Sequence, residues 1–293
     1  MKKLFLGAAA LLLIGFTNAQ NVSLVDQMGS NTGTVTQTSI GTFVNYSEVN
    51  QVMFNNADVW QLGANESYVN QMGTNQADVV QDGGDGFWTG FTGVQISDIT
   101  QMGNNEADVD QTGDANYSRI GQFNLGFGLQ NMAMVQQGQN DSDSYGNWSE
   151  VDQLNYNNYA EINQDGYYNM SFSDQASGFF QAPMFGSYLQ YNMVYQTGWL
   201  NYSEVSQVGT NNVAMEYQNA DSFGAAGDPF TNEAYVVQTG RRNWSELYQS
   251  DGLFIDANNT AIVDQTNLVD GPGNISIKSQ VGANSIVVTQ TNL

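Results

Sequence analysis

Along most of the chain, residues of one character recur at every second position, and short Gly-containing breaks divide the runs. Asn65-Glu-Ser67-Tyr-Val69-Asn-Gln71 is followed by Met72-Gly73-Thr74, and then Asn75-Gln-Ala77-Asp-Val79-Val-Gln81 repeats the form N-x-[S/A]-x-V-x-Q. A period of two is the side-chain period of a β-strand and cannot line one face of a helix. Each seven-residue cassette therefore presents Asn, a small residue, an aliphatic and Gln to one side, and turns its other three residues outward. A strand and a Gly turn repeating about every ten residues form the unit of a stacked β-solenoid.

Counted by an Asn or its substitute six residues before a Gln, about 21 such cassettes run from Asn21–Gln27 to Asn284–Gln290. The third position is Ser or Ala except at Gly33, Asn192 and Ile286, and the fifth is aliphatic except at Ser173, Glu216 and Lys278. Short links usually carry Gly two residues after the Gln, at Gly29, Gly63, Gly73, Gly103, Gly113, Gly166, Gly198, Gly209, Gly240 and Gly282. A tight reversal with positive φ calls for Gly; Asn155, at the same place, is the next most tolerant residue, and Met53 is the one bulky departure. Longer links, at 82–94, 123–130, 138–146, 176–189, 219–231, 250–258 and 266–273 with a milder one at 38–44, hold Pro183, Pro229 and Pro272 and are expected to loop out of the stack.

The pattern predicts an all-β, two-sheet β-solenoid, a cross-β stack of about ten strand-turn-strand rungs at roughly 4.8 Å per rung, with protruding loop insertions. Consecutive cassettes are expected to alternate between the two sheets, which places Asp58, Asp78 and Asp108 in one outward column. Inward Asn and Gln are expected to form amide ladders. The self-assembly ladder residues are Asn55, Gln61, Asn65, Gln71, Asn75, Gln81, Asn105, Gln111, Asn116, Gln122, Asn201, Gln207, Asn243, Gln249, Asn284 and Gln290. An unpaired buried amide costs about 1–3 kcal/mol, so a lone rung is unstable where a stack is not.

Composition narrows the chemistry. A net charge of −23, with Arg119, Arg241, Arg242 and Lys278 the only basic residues beyond Lys2 and Lys3, excludes nucleic acid as a partner. With no Cys and no His, the chain has no disulfide, no thiolate metal site and no imidazole base. Lys2-Lys3, the apolar run Leu4 to Phe16 and the ending Thr17-Asn-Ala19 read as a secretory signal over 1–19, leaving 20–293 as the repeat solenoid; nothing later is apolar for long enough to span a bilayer. Export to the cell surface or beyond follows.

Gln111-Thr-Gly113-Asp-Ala-Asn116-Tyr-Ser118-Arg-Ile-Gly-Gln122 and Gln196-Thr-Gly198-Trp-Leu-Asn201-Tyr-Ser203-Glu-Val-Ser-Gln207 resemble the curlin repeat, Q-x-G-x-x-N-x-A-x-x-x-Q, with Ser in place of Ala. The resemblance extends over nearly all of 21–290. It implies a secreted subunit of curli-like extracellular amyloid fibres in a biofilm matrix or adhesive surface, either a major or a minor nucleating one. Its partners would be copies of itself, other curlin-like subunits and a curli-type export apparatus. No catalytic, cofactor or metal site is implied.

Competing motifs have plainer readings. The Asn-x-Ser triplets at Asn21, Asn45, Asn65, Asn116, Asn147, Asn169, Asn201, Asn243 and Asn274 are written by the repeat, with Asn facing inward, and are not glycosylation acceptors. Asp141-Ser-Asp143-Ser-Tyr-Gly146 starts like a calcium loop but lacks its distal Glu, and Gly83-Gly84-Asp85-Gly86 hints at a calcium-binding nonapeptide repeat but as a single copy is a weak signal. Tyr46, Tyr117, Trp148, Tyr159, Tyr202 and Trp244, all at the outward second position, make either stacking ladders or the sugar-binding row of a monomeric β-solenoid adhesin, which is the alternative function. Outward Glu48, Asp78, Glu150 and Glu204 read as a solvated face and not as a catalytic pair. The Thr residues are too scattered for an ice-binding array.

Overall fold

The computed structural model describes residues 21–39, 44–83, 93–124, 130–138, 145–177, 190–220, 232–250, 259–268, 273–282 and 284–292. The signal segment 1–19, Asp141, Asp143, Gly84 to Gly86, all three prolines and half or more of each long link lie outside the described residues. Every cassette lies within them.

The described chain is all-β and solenoid-like: 19 strands, from Val22–Gly29 to Ser285–Asn292, joined by parallel pairings throughout. Alternate residues are buried along almost every strand, as a period of two requires. Four cassettes occupy only two strands, Asn65–Gly83 and Gln95–Gly113. Here the ladder does not stop at the turn: Met72, Gly73 and Thr74 pair in register with Met102, Gly103 and Asn104, so the corner residues stack as the strands do.

Every pairing skips one cassette. The cassettes beginning at Asn21, Asn45, Asn65, Gln95, Asn116, Asn147, Asn169, Asn201, Asn232, Asn259 and Asn284 pair in that order. Those at Asn31, Asn55, Asn75, Asn105, Asn131, Asn158, Gln190, Asn212, Asn243 and Asn274 form a second series. Register is never shifted, so each cassette position meets the same position above and below. A slip of one residue would turn the buried set to solvent.

Fifth-position aliphatics such as Val49, Val69, Ile99, Ile120 and Val151 in one series and Val59, Val79, Val109, Val135 and Ile162 in the other are essentially inaccessible and form one apolar core. Third-position Ser and Ala beside them are equally buried. The hydroxyls of Ser47, Ser67, Ser97 and Ser118 find no partner among the described residues, so this column selects for small volume and not for a hydroxyl.

The corners turn at positive φ. All nine of Gly63, Gly73, Gly103, Gly113, Gly166, Gly198, Gly209, Gly240 and Gly282 have positive φ, as do Asn155 (φ 72°) and Met53 (φ 86°). Space adds a second constraint: a Cβ built on Gly73 would stand 2.3 Å from the Gly103 carbonyl oxygen. These corners stack backbone on backbone.

Candidate self-assembly ladders and open ends

The Gln side chains form two unbroken columns. In the first series Nε2 of each Gln donates to Oε1 of the next, from Gln27 through Gln51, Gln71, Gln101, Gln122, Gln153, Gln175, Gln207, Gln238 and Gln265 to Gln290, at 2.6 to 3.0 Å. The second series does the same from Gln37 through Gln61, Gln81, Gln111, Gln137, Gln164, Gln196 and Gln218 to Gln249 and Gln280. The other N–H crosses to the opposite series and meets the backbone carbonyl of a second-position residue: Gln71 to Asn56, Gln81 to Glu66, Gln122 to Glu106 and Gln207 to Tyr191. A buried amide thus satisfies both donors, and one bond ties the two series together.

The Asn columns run with the opposite sense: where the side chains bond each other, Nδ2 donates to Oδ1 of the cassette before, whereas Asn169 gives Asn147 Oδ1 its backbone N–H and spends Nδ2 on the carbonyls of Asp165 and Gly198. Asn55 donates to Asn31, Asn75 to Asn55, Asn105 to Asn75, Asn201 to Asn169 and Asn243 to Asn212. Asn65 donates to Asn45, but its own Oδ1 has no partner, because Gln95 stands where the next Asn belongs. One methylene longer, Gln95 reaches past the column to the carbonyls of Asp82 and Gly113, and its Oε1 is orphaned too. Gln190 breaks the other column in the same way, leaving Asn158 Oδ1 bare. Asn116, next after the Gln95 break, donates to Thr112 and accepts from the Asn147 backbone N–H. The expectation of continuous Asn ladders is therefore corrected to interrupted ones. Asn284 departs as well: at the open end its amide turns back onto the Val281 and Gly282 carbonyls and leaves Asn259 Oδ1 unpaired.

Three interior departures show a rule that the cassette formula does not contain. Third positions of one series face fifth positions of the other. Asn192 accordingly donates to Ser173 Oγ at 2.7 Å, so two misfits in consecutive cassettes pair, while Oδ1 of Asn192 has no partner among the described residues. Ser203 donates to Oε2 of Glu216 at 2.5 Å, while Oε1 of Glu216 has no partner among the described residues. Glu216 is fully buried between Val194 and Leu247, and burial pushes its carboxyl up to about 8, against a smaller opposing effect of the Ser203 bond. The Asn192–Ser173 pair carries a signal, a misfit at position three beside a misfit at position five in the adjacent cassette; Glu216 is met by an ordinary third-position Ser.

Outside, Asp58, Asp78 and Asp108 are direct neighbours in one column. Burial first, then Asp78, Asp110 and Glu106, raises Asp108 to about 6, and Asp78 is raised by burial, then by Asp58 and Asp110. No group of three or more carboxylates among the described residues converges as a metal site would require. Glu48, Glu161 and Glu204 accept the hydroxyls of Tyr46, Tyr159 and Tyr202, two residues before each, and Glu150 accepts the Trp148 indole N–H. The Tyr159 hydroxyl is held up to about 12 by burial and then by Glu161. Arg119 lies 3.5 Å from Glu150 and 3.2 Å from Asp152.

Outward rings form short runs and not one continuous ladder: Tyr117 with Trp148 at 4.5 Å, Tyr159 with Tyr191 at 5.0 Å, and Tyr195, Tyr217 and Tyr248 at 6.4 and 4.9 Å. The neighbours of Trp244 are Val213 and Ile275.

The two ends of the stack are open. Val22–Gly29 is exposed along its whole length, and Ile275–Val281 and Ser285–Asn292 are exposed or half-buried at nearly every position, so each end offers unpaired backbone and amide groups. No helix among the described residues is long and apolar enough to cross a membrane. No curated protein matches the chain. Over residues 103–138, which hold the Gln111 to Gln122 motif, the chain matches the family model of the curlin associated repeat, and it carries that repeat.

Proposed function

We propose that the chain is a secreted structural subunit that stacks end on end into curli-like amyloid fibres of a biofilm matrix or adhesive surface. The reading is one of two facing sheets, one per pairing series, rising through about ten rungs at roughly 4.8 Å each. Residues 1–19 serve as a cleaved export leader, copies of the chain itself are the main partners, and no catalysis takes place. Other curlin-like subunits and a curli-type export apparatus complete the set of partners.

The observation that carries this is the pair of open ends. A rod whose two Gln columns are unbroken along its length, and bare only at its first and last rungs, lowers its free energy by adding a rung. Fibre assembly by the chain from Gln20 onward tests it. Growth should depend on concentration, and aligned fibres should diffract on the meridian near 4.8 Å. A species that stays monomeric at high concentration, or fibres without that spacing, refutes the proposal.

A further inference from the structure

The two ends differ, and the difference dictates how copies join. In the Gln columns donors point toward the C-terminal end, so the first end shows the bare Oε1 acceptors of Gln27 and Gln37. At the last end Gln290 and Gln280 each spend one N–H on a carbonyl, of Ile275 and Thr260, and keep one N–H to offer. The Asn columns run the other way: Asn274 has an unfilled Oδ1, while Asn21 spends one amide N–H on the Gln37 carbonyl. First end on last end matches donor to acceptor in both Gln columns and where Asn21 meets Asn274. Like ends oppose acceptor to acceptor.

Register is the second constraint. Cassettes two apart are one strand spacing of about 4.8 Å apart along the axis, so consecutive cassettes climb about half of that. The last two steps are the Asn274 cassette, lower, and the Asn284 cassette, half a spacing higher. The first two steps of the next copy have the same order, Asn21 lower and Asn31 higher. The steps mesh only if Asn21 is set over Asn274 and Asn31 over Asn284. Setting Asn21 over Asn284 leaves the Asn31 cassette two spacings above Asn274, a gap the width of one missing strand.

We infer that a second copy docks by its first end on the last end of this one with the two strand series exchanged, each copy turned half a turn about the rod axis from its neighbour. The inference rests on the stacking function proposed above. It is supported by side chains that the step argument did not use. In the exchanged register outward Val22, Leu24 and Met28 fall on Ile275, Ile277 and Val281, six side chains that are each exposed as the ends stand. Thr32, Thr34, Thr36 and Thr38 fall on Ser285, Val287, Thr289 and Thr291. Apolar meets apolar, and three of the four threonines meet a hydroxyl, as cross-strand pairs prefer, with Thr34 on Val287 the exception. Inside, Ile286, the one bulky aliphatic at a third position, falls on Gly33, the one third residue with no side chain. The unexchanged register sets Val22 and Met28 on Ser285 and Thr291, and Thr32, Thr34 and Thr38 on Ile275, Ile277 and Val281, keeping only Leu24 on Val287 and Thr36 on Ser279 as like pairs. Lys278 falls under Val25; it is half-buried at the open end and has the stem length to carry its ammonium to the rim.

Cysteine pairs in the full chain, produced with its own N-terminal segment, test the joint, since the sequence has no Cys of its own. In-register neighbours about 4.8 Å apart lie within the Cα range of a disulfide, roughly 4.4 to 6.8 Å. Within one copy the paired positions stand at opposite ends of the rod, so a cross-link reports a joint between copies. Oxidised L24C/I277C and T34C/V287C should each give a ladder of multimers on a non-reducing gel. By this geometry both should exceed L24C/V287C by roughly ten-fold or more. Light scattering run in parallel reports fibres independently of cross-links. Fibres in which L24C/V287C links and L24C/I277C does not overturn the exchanged register and leave the proposed function standing. Dimers from L24C alone reveal like ends in contact and overturn the polarity. No scattering and no ladder from any pair overturns both the joint and the function.

Discussion

Glu216 sets a pH limit on the middle of the stack. Its carboxyl takes an aliphatic position between Val194 and Leu247, with Ser203 and Ala234 facing it from the other series and Lys278, two cassettes along its own column, the nearest inward cation. Held up to about 8 by burial, it keeps its proton in the folded chain at pH values where the unfolded chain has lost it. A raised acid of this kind contributes stability that is complete below the unfolded value near 4.5 and is lost as pH rises through the folded value near 8. Within that window the loss is about 1.4 kcal/mol per pH unit, or about 2 to 3 kcal/mol between pH 6 and 8. Asp108, at about 6, is half ionised at pH 6 but has by then lost most of its own stabilising contribution, which falls between 3.8 and about 6, so pH 6 to 8 belongs largely to Glu216. The assay is amide exchange of residues 213–220 and 244–250 in wild type and Glu216→Gln, taken as a ratio at each pH so that the intrinsic pH dependence of exchange cancels. Local opening is the right quantity, because repeat arrays do not unfold in one step. Protection should fall with pH in wild type relative to Glu216→Gln, and Glu216→Leu should add roughly 2 to 3 kcal/mol of protection at pH 7. Equal slopes in wild type and Glu216→Gln refute the reasoning.

Four further outcomes follow from the same geometry. Gln71→Ala strands the amide of Gln51, Oε1 of Gln101 and the Asn56 carbonyl and should cost about 3 kcal/mol, slowing dye-monitored assembly far more than Asn70→Ala, whose exposed side chain accepts one outward bond from Asn50; equal rates would reverse the strand faces. Asp78→Asn should raise stability at pH 7 and flatten the gain seen between pH 7 and 4, because Asp78 and Asp108 are both raised acids whose stabilising protonation lies in that interval; a denaturant midpoint with unchanged pH dependence would remove the acid column from the account. Gly73→Ala must move the Gly103 carbonyl as well as hold Ala at φ 120°, whereas Gly282→Ala meets nothing within 4 Å, so the melting temperature should fall much further for Gly73→Ala. Gln95→Asn restores the column to Asn65 and should raise stability by about 1 kcal/mol or more in denaturant titration; a loss of stability would mean that the carbonyls of Asp82 and Gly113 depend on Gln95.

Most of the fold is legible in the cassette because one period does three tasks. It selects strand over helix, names the buried face, and, since every rung repeats it, fixes the register of every neighbour. Asp58, Asp78 and Asp108 fall in a column as the alternation of cassettes requires, and Asn155 and even Met53 take the positive φ of the glycines they replace. Direction was not legible. Nothing in N-x-[S/A]-x-V-x-Q says that Gln amides donate toward the C-terminal end and Asn amides toward the N-terminal end, since Asn and Gln each carry donor and acceptor. The breaks at Gln95 and Gln190 were invisible for the same reason: by type they are conservative, and only side-chain length decides that they overshoot.

Departures from the repeat carry the information that the repeat itself cannot. Taken one at a time, Ser173, Asn192, Glu216, Gly33 and Ile286 each look like a defect in an otherwise uniform column. Taken by the contact rule of the solenoid, third position against fifth across the series, Asn192 and Ser173 become donor and acceptor, and Ser203 becomes the partner of Glu216. Uniform cassettes could stack in any register and with any copy number, because every rung offers the same surface. A misfit whose bond is made by one other misfit fixes which rungs meet. Asn192 and Ser173 do this inside the chain, where connectivity already dictates the order. Gly33 and Ile286, with the apolar row of the Asn21 cassette and its match on the Asn274 cassette, do it where connectivity ends and a second copy must find its place.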